Sequence, residues 1–202
     1  MNPAQDGRCP WCGNQPDYIA YHDYVWGRPV ADRLELFEKL CLDGQQAGLS
    51  WLTILRKQSG YREAFEQFQA ERLAEYGEHD IQRLLSNPSI VRNRKKVEAI
   101  ITNARALLEM ESRGEEFPEF LWGFVDGRPR INHWYHIDEV PTETAESRAM
   151  SRELKRRGFR FVGPTICYAF MQAVGLVNDH LVNCPARAET VSISKEFEFN
   201  AS

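Results

Sequence analysis

No apolar run in this sequence approaches the roughly 20 residues that cross a bilayer, because charged or polar side chains interrupt every hydrophobic stretch well short of that length. The opening residues, Met1-Asn2-Pro3-Ala4-Gln5-Asp6, also lack the charged-then-apolar order of a signal peptide. A cytoplasmic protein with no membrane partner is therefore expected. Cysteine is scarce and odd in number, five residues, which in a reducing compartment points to thiols or metal ligands over a disulfide framework. Excess positive charge is missing as well: 25 Lys and Arg stand against 29 Asp and Glu, a net charge of −4. At face value that balance argues against nucleic acid as partner, since binders of phosphate backbones usually carry positive charge. Sustained period-two alternation is nearly absent, and there is no internal repeat or low-complexity linker.

What is present is ordinary core material. Of 202 residues, 43% are hydrophobic, and a chain of this length buries roughly 70% of the surface its unfolded form exposes. Apolar residues recur at three- and four-residue spacing through Leu34, Phe37, Leu40 and Cys41, and again through Val97, Ile100, Ile101, Ala104, Leu107 and Leu108. Both stretches read as amphipathic helices. The pattern predicts further helices over 50–56, with Ser50 as N-cap, and over 61–67, 79–86, 117–124, 145–157 and 164–174. Gly60, Gly77, Asn87-Pro88, Gly114, Pro141 and Gly158 fall between these blocks, as breakers should. The expected fold is all-α: a single helical domain over 1–189, acting as a monomer, with a loosely attached tail over 190–202. Cys9–Gly27, rich in Cys, aromatic residues and Gly, also stands outside the helical array.

Charge is unevenly spread. Residues 92–96 hold Arg92, Arg94, Lys95 and Lys96 unopposed, and 152–160 hold five basic residues against Glu153, while 109–119 carry five glutamates against Arg113. On charge alone each block reads as a solvated helix face.

Two clusters of metal-ligand type lie at opposite ends of the chain: Cys9-Pro-Trp-Cys12 with His22, and His180-Leu-Val-Asn-Cys184. On a helix, His180 and Cys184 share a face one turn apart. A Cys and a His from the N-terminal cluster complete a tetrahedral Cys2His2 zinc set, which is structural because no position remains for water. Cys9, Cys12, His22, His180 and Cys184 compete for the four places. Such an ion staples the two ends of the chain together. Cys41 and Cys167 fall on apolar helical faces and are assigned to the core.

Around Lys155-Arg-Arg-Gly-Phe-Arg-Phe-Val-Gly163-Pro-Thr-Ile a basic helix ends at Gly158 and a new one begins after Gly163. Pro164 suits the first turn of that helix, whose free backbone N–H groups make an anion site for a DNA phosphate. This stretch resembles the hairpin of the helix-hairpin-helix superfamily, with Phe161 where that motif usually has glycine; Gly163 and Thr165 are the expected DNA contacts.

Two other stretches are more specific: Tyr18-Ile-Ala-Tyr21-His22-Asp23-Tyr-Val-Trp26-Gly27 and Cys41-Leu-Asp43-Gly44-Gln45-Gln46-Ala47-Gly48-Leu49-Ser50-Trp51. The first supplies flat π-faces. The second ends a helix with a carboxylate at Asp43, passes a Gly-rich turn with two glutamines and an exposed leucine, and starts a helix at Trp51. Aromatic faces with one carboxylate describe a site for a flat, cationic, hydrogen-bonding molecule, a description that an alkylated purine fits.

Together with Phe161-Val-Gly-Pro-Thr-Ile-Cys-Tyr168-Ala-Phe-Met-Gln172-Ala and Gly175-Leu-Val-Asn-Asp-His180, these stretches resemble the DNA-3-methyladenine glycosylase I family from about Arg8 to Cys184. The resemblance implies a helix-hairpin-helix glycosylase fold with one structural zinc on Cys9, His22, His180 and Cys184, leaving Cys12 as a spare thiol. It implies base recognition by Tyr18, Tyr21, Asp43 and Trp51, and a DNA-wedging turn at Gln46, Gly48 and Leu49. The chain departs from the family at Asp43, where glutamate is usual, and at Val25, where an acidic residue is common. The implied reaction is excision of 3-methyladenine from alkylated double-stranded DNA. No lysine lies between Gly163 and Cys184 to form a Schiff base, so a monofunctional enzyme is expected, with Asp43 as its catalytic carboxylate. The competing reading is a non-catalytic, zinc-stapled DNA-binding module.

Overall fold

Most helices form where the apolar spacing puts them, but the one expected over 61–67 spans Gln58–Ala64 and encloses Gly60, and a further helix, Ala70–Ala74, lies outside the expected blocks. The computed structural model describes residues 7–199; the reading of 1–6 and the last three residues of the expected tail lie outside the described residues. In chain order the helices are α1 (Pro16–Tyr24), α2 (Arg33–Gln46), α3 (Trp51–Leu55), α4 (Gln58–Ala64), α5 (Ala70–Ala74), α6 (Glu78–Leu85), α7 (Arg94–Ser112) and α8 (Phe117–Trp122), followed by α9 (Ala145–Arg156), α10 (Pro164–Ala173) and α11 (Arg187–Glu196). Side chains close their first turns. Asp32 accepts from Glu35 N, Ser50 from Thr53 N, Asn93 from Lys96 N and Thr144 from Ser147 N, each satisfying an orphan backbone donor.

Helix α2 is central. Leu36, Phe37, Leu40, Cys41, Leu42, Asp43, Gly44 and Gln45 are all buried, and the helix packs against α3, α7, α8 and α10. The long α7 buries Val97, Ile100, Ile101, Ala104 and Leu107, as its spacing requires. Cys41 and Cys167 are core residues.

Four further features differ from the sequence expectation. First, 9–27 is helical after all: a 3-10 turn at Pro10–Cys12 precedes α1, whose Pro16 occupies the first turn. Its apolar and polar residues are hardly segregated, because the helix lies between a cavity and a metal-ligand cluster, so it carries no periodic signal. Second, α2 does not end at Asp43 but runs to Gln46, so Gly44 lies inside it. A Cβ on Gly44 would sit 3.1 Å from Phe161 Cβ and 3.3 Å from its carbonyl oxygen; the glycine admits the hairpin and does not end the helix. Third, residues 190–199 are no loose tail: Thr190 and Ser194 are buried in α11, and the Phe197 and Phe199 rings lie 4.5 and 6.2 Å from that of Trp122. Fourth, two-residue strands β1 (Arg130–Ile131) and β2 (Val177–Asn178) pair in parallel, Arg130 opposite Val177, too short to leave a period. This pairing fixes the chain immediately before Asp179.

The hairpin between α9 and α10 is pinned from both sides. Asn103 on α7 accepts from Arg160 N at 2.7 Å and donates to Arg160 O at 3.2 Å, while Ser151 donates to Val162 O at 2.6 Å. Gly158 (φ +92°) and Phe161 (φ +55°) both take the left-handed conformation; Phe161 adopts here the geometry that a glycine would provide freely.

Candidate functional site

The aromatic segment and α2 converge on one cavity of about 280 Å³. Its walls are Trp11, Tyr18, Tyr21 and Trp26 from the N-terminal region, Lys39, Asp43 and Gln46 from α2, and Trp51 at the start of α3. Ala169, Gln172 and Ala173 of α10, Asp179 after β2 and Ile137, Val140 and Pro141 from the segment before α9 complete it. Lys39, Asp43 and Gln46 follow i, i+4, i+7 spacing and so share one face of α2. The rings are close-packed: Trp11 lies 5.2 Å from Tyr18 and 5.0 Å from Trp26, and Tyr21 lies 5.4 Å from Trp51, within the range of favourable aromatic pairs.

Asp43 is 1% exposed. One carboxylate oxygen receives the Lys39 ammonium; the other, Oδ2, is buried with no hydrogen-bond partner, as is Trp51 Nε1. The Lys39 ammonium also lies 3.9 Å from the centroid of the Trp51 ring. Burial pushes the Asp43 carboxyl up and the Lys39 ammonium down, and each is partly restored by the charge of the other. Burial, with the Asp43 charge adding to it, raises the Tyr21 phenol well above its ordinary value.

Asp179, also in the lining, is the acceptor for four donors: Tyr168 Oη at 2.6 Å, Gln172 Nε2 at 2.8 Å, Asn132 Nδ2 at 2.6 Å and Trp134 Nε1 at 2.8 Å. Burial first, then the neighbouring Asp179, raises the Tyr168 phenol, which keeps that donor protonated. With its lone pairs so engaged, Asp179 is built as a fixed negative charge.

Of the residues singled out in the sequence, Tyr18, Tyr21, Asp43, Gln46 and Trp51 meet at this cavity. Gly48 (φ +76°) and Leu49 sit just outside it on the exposed turn between α2 and α3. Gly163 and Thr165 are at the N-terminus of α10, away from the lining. The two glutamines separate: Gln46 faces the cavity, whereas Gln45 is buried between Tyr61 Oη and Lys96 O. Lys39 and Trp11 were missed; the position of Lys39 one turn before Asp43 was the signal available for it.

Behind the aromatic wall, Cys9, His22, His180 and Cys184 are all buried, with ligand atoms within 4.8 Å of one another. Cys184 Sγ lies 3.5 Å from both His22 Nε2 and His180 Nδ1. The outer ring nitrogens are engaged, His22 Nδ1 with Asp23 Oδ1 at 2.7 Å and His180 Nε2 with Trp26 O at 3.2 Å. Arg8 clamps Asp23 in turn. This two-layer arrangement fixes the tautomers that a metal requires. Hydrogen bonding from Cys9, and then from the two imidazoles, holds the Cys184 thiol well below its ordinary value. Cys12 points its sulfur to Cys9 O at 3.2 Å and lies outside the cluster. The four residues can hold a metal ion.

The family model described as methyladenine glycosylase matches residues 11–188. The chain is 52% identical over 180 residues to a DNA-3-methyladenine glycosylase of Haemophilus influenzae, covering 89% of this chain and 97% of that protein. It is 52% identical over 177 residues to DNA-3-methyladenine glycosylase 1 of Escherichia coli, covering 88% and 95%. The structure of 3-methyladenine DNA glycosylase I from Staphylococcus aureus, which addresses 3-methyladenine recognition, superposes with a TM-score of 0.88 at 40% identity, covering 91% of this chain and 98% of that one.

Proposed function

This chain belongs to the methyladenine glycosylase family, and from that premise we propose that it excises 3-methyladenine from alkylated double-stranded DNA, hydrolysing the N-glycosidic bond and leaving an abasic site. The observation that carries this reading is the pairing of π-faces with the buried Asp43, whose Oδ2 has no protein partner. Methylation at N3 leaves the purine cationic, so it departs as a neutral base without protonation by the protein. The demand on the site is therefore selective binding of charge and shape. Tyr18, Tyr21 and Trp51 supply stacking surfaces, and Asp43 accepts N–H bonds and balances the charge. The side chain of Asp43 is one methylene shorter than the family's usual glutamate, and its carboxylate keeps an oxygen that no protein donor satisfies.

DNA presents the base by extrusion from the stack. Leu49, 41% exposed on its turn, fills the gap with Gln46 and Gly48 beside it, while the N-terminus of α10 at Gly163 and Thr165 receives a phosphate. Asp179 gives fixed negative charge to the face where the sugar cation develops. The Cys2His2 donor set, with both outer imidazole nitrogens hydrogen-bonded, suits one structural zinc held by Cys9, His22, His180 and Cys184. That ion supplies a crosslink, since four protein ligands leave no place for water.

Incubation with methylated DNA and chromatography of the released bases tests the reading: free 3-methyladenine is expected, whereas binding without release would indicate a non-catalytic module. Asp43→Asn is expected to lower excision by about 100-fold. If Asp179→Asn abolished excision and Asp43→Asn left it intact, catalysis by base selection would be wrong.

A further inference from the structure

Lys39 is the cationic side chain among the residues lining the cavity, and its position opposes the charge of the substrate. Its ammonium takes one oxygen of Asp43 and lies over the Trp51 ring at 3.9 Å. A flat cationic base needs those same two features, the carboxylate and the π-face. Charge neutrality sharpens the conflict. Asp43 with Lys39 is neutral, and Asp43 with a cationic base is neutral, but all three together set two cations against one buried carboxylate, where like charges repel. No other acid takes over the ammonium: Glu38 is paired with Arg62 and held by Gln58, and the oxygens of Asp179 are already taken by four neutral donors. Lys39 has a way out, since its side chain is 13% exposed and its stem has four rotatable carbons.

We propose that Lys39 is a specificity-determining residue, an internal cation that holds Asp43 and the Trp51 face between turnovers and that the damaged base must displace. This inference rests on the pocket being the base site. It gives the two halves of the reaction opposite character. The cationic base competes with Lys39 for Asp43 on entry; once the glycosidic bond breaks the base is neutral, and Lys39 reclaims the carboxylate against a weaker competitor.

The test compares two free ligands that differ in charge: the fixed cation 3,9-dimethyladeninium and neutral 3-methyladenine, titrated against the full-length wild type, Lys39→Met, Lys39→Gln and Lys39→Arg. Loss of the lysine charge is expected to tighten the cation by about tenfold and the neutral base by much less, with Lys39→Arg keeping the wild-type ratio. In excision from methylated DNA, Lys39→Met should lower KM by more than it changes kcat. Equal tightening of both ligands would mean that Lys39 merely occupies space, and weaker binding of the cation would mean that Lys39 assists it; either result overturns the proposal. Lys39→Gln, which can still donate to Asp43, keeps the comparison available if Lys39→Met does not fold. Failure of the wild type to release 3-methyladenine would defeat the functional reading instead, and the ratio of the two affinities would still report on Lys39.

Discussion

At the scale of single residues, several identities have their reason in a neighbour distant in sequence. Lys96 belongs to the basic block at 92–96, yet it is buried and donates at 2.7 Å to both Gln45 O and Ala47 O, capping the C-terminus of α2 where orphan carbonyls need a donor. Gly175 has φ +70°, and a Cβ there would collide with the peptide joining Arg28 to Pro29. Gly175→Ala is therefore expected to lose about 2–4 kcal/mol and to lower the melting temperature by roughly 5–15 °C, measured by thermal denaturation; an unchanged melting point would show that this crossing is slack. At Gly27 (φ +78°) a Cβ would lie 3.1 Å from the His180 ring, so the glycine lets the Cys/His cluster sit against the aromatic wall. No lysine lies in 163–184, yet α2 brings Lys39 to the cavity. Because its ammonium is paired with Asp43, borohydride is expected to trap no adduct between this protein and abasic DNA, by gel assay.

At the scale of elements, charge that is formally basic divides into structural and free groups. In the first block Arg94 pairs with Glu78 and Glu98; in the second Arg156 and Arg157 pair with Glu153, and Arg157 also reaches Glu115 and stacks on Phe120. Each block thus offers fewer charges to a ligand than its sequence suggests. What remains includes Lys95 on α7 and Arg160 in the hairpin, both exposed, which the docking of Asn103 onto Arg160 brings to one groove with Thr102 and Phe161. Replacing Lys95 and Arg160 together by Ala is expected to weaken DNA binding without altering base affinity and to reduce the slope of log K against log[salt] by about 1–2. A salt titration with undamaged DNA measures it, and an unchanged slope would remove this groove from the DNA face.

At the scale of the whole molecule, both terminal regions of the described chain are tied down by contacts distant in sequence. Cys9 and His22 meet His180 and Cys184, and Phe197 and Phe199 stack near Trp122. The first of these joints backs the cavity wall, since Trp26 carries the acceptor for His180 and Trp11 lies 5.2 Å from the His22 ring. Removal of metal by a strong chelator is expected to lower the melting temperature and loosen the aromatic wall, seen as a change in tryptophan fluorescence, with one zinc per chain before treatment by metal analysis. Cys12→Ser should retain the ion and Cys9→Ser should lose it. No helix among the described residues is long and apolar enough to cross a membrane.

By itself the sequence determined what depends on local spacing and local chemistry. The amphipathic helices α2 and α7, the Ser50 cap, the Pro164 start of α10 and the residue types of the pocket and metal cluster were legible, because hydrophobic period, capping and ligand chemistry act within a few residues. The tertiary structure decided what depends on who meets whom. It chose Cys9 over Cys12, separated Gln46 from Gln45, set Gly44 against Phe161, packed the end of the chain onto Trp122 and placed Lys39 on the carboxylate of Asp43. Those outcomes are fixed by contacts between segments up to 175 residues apart, Cys9 to Cys184, and no local pattern encodes a distance in space.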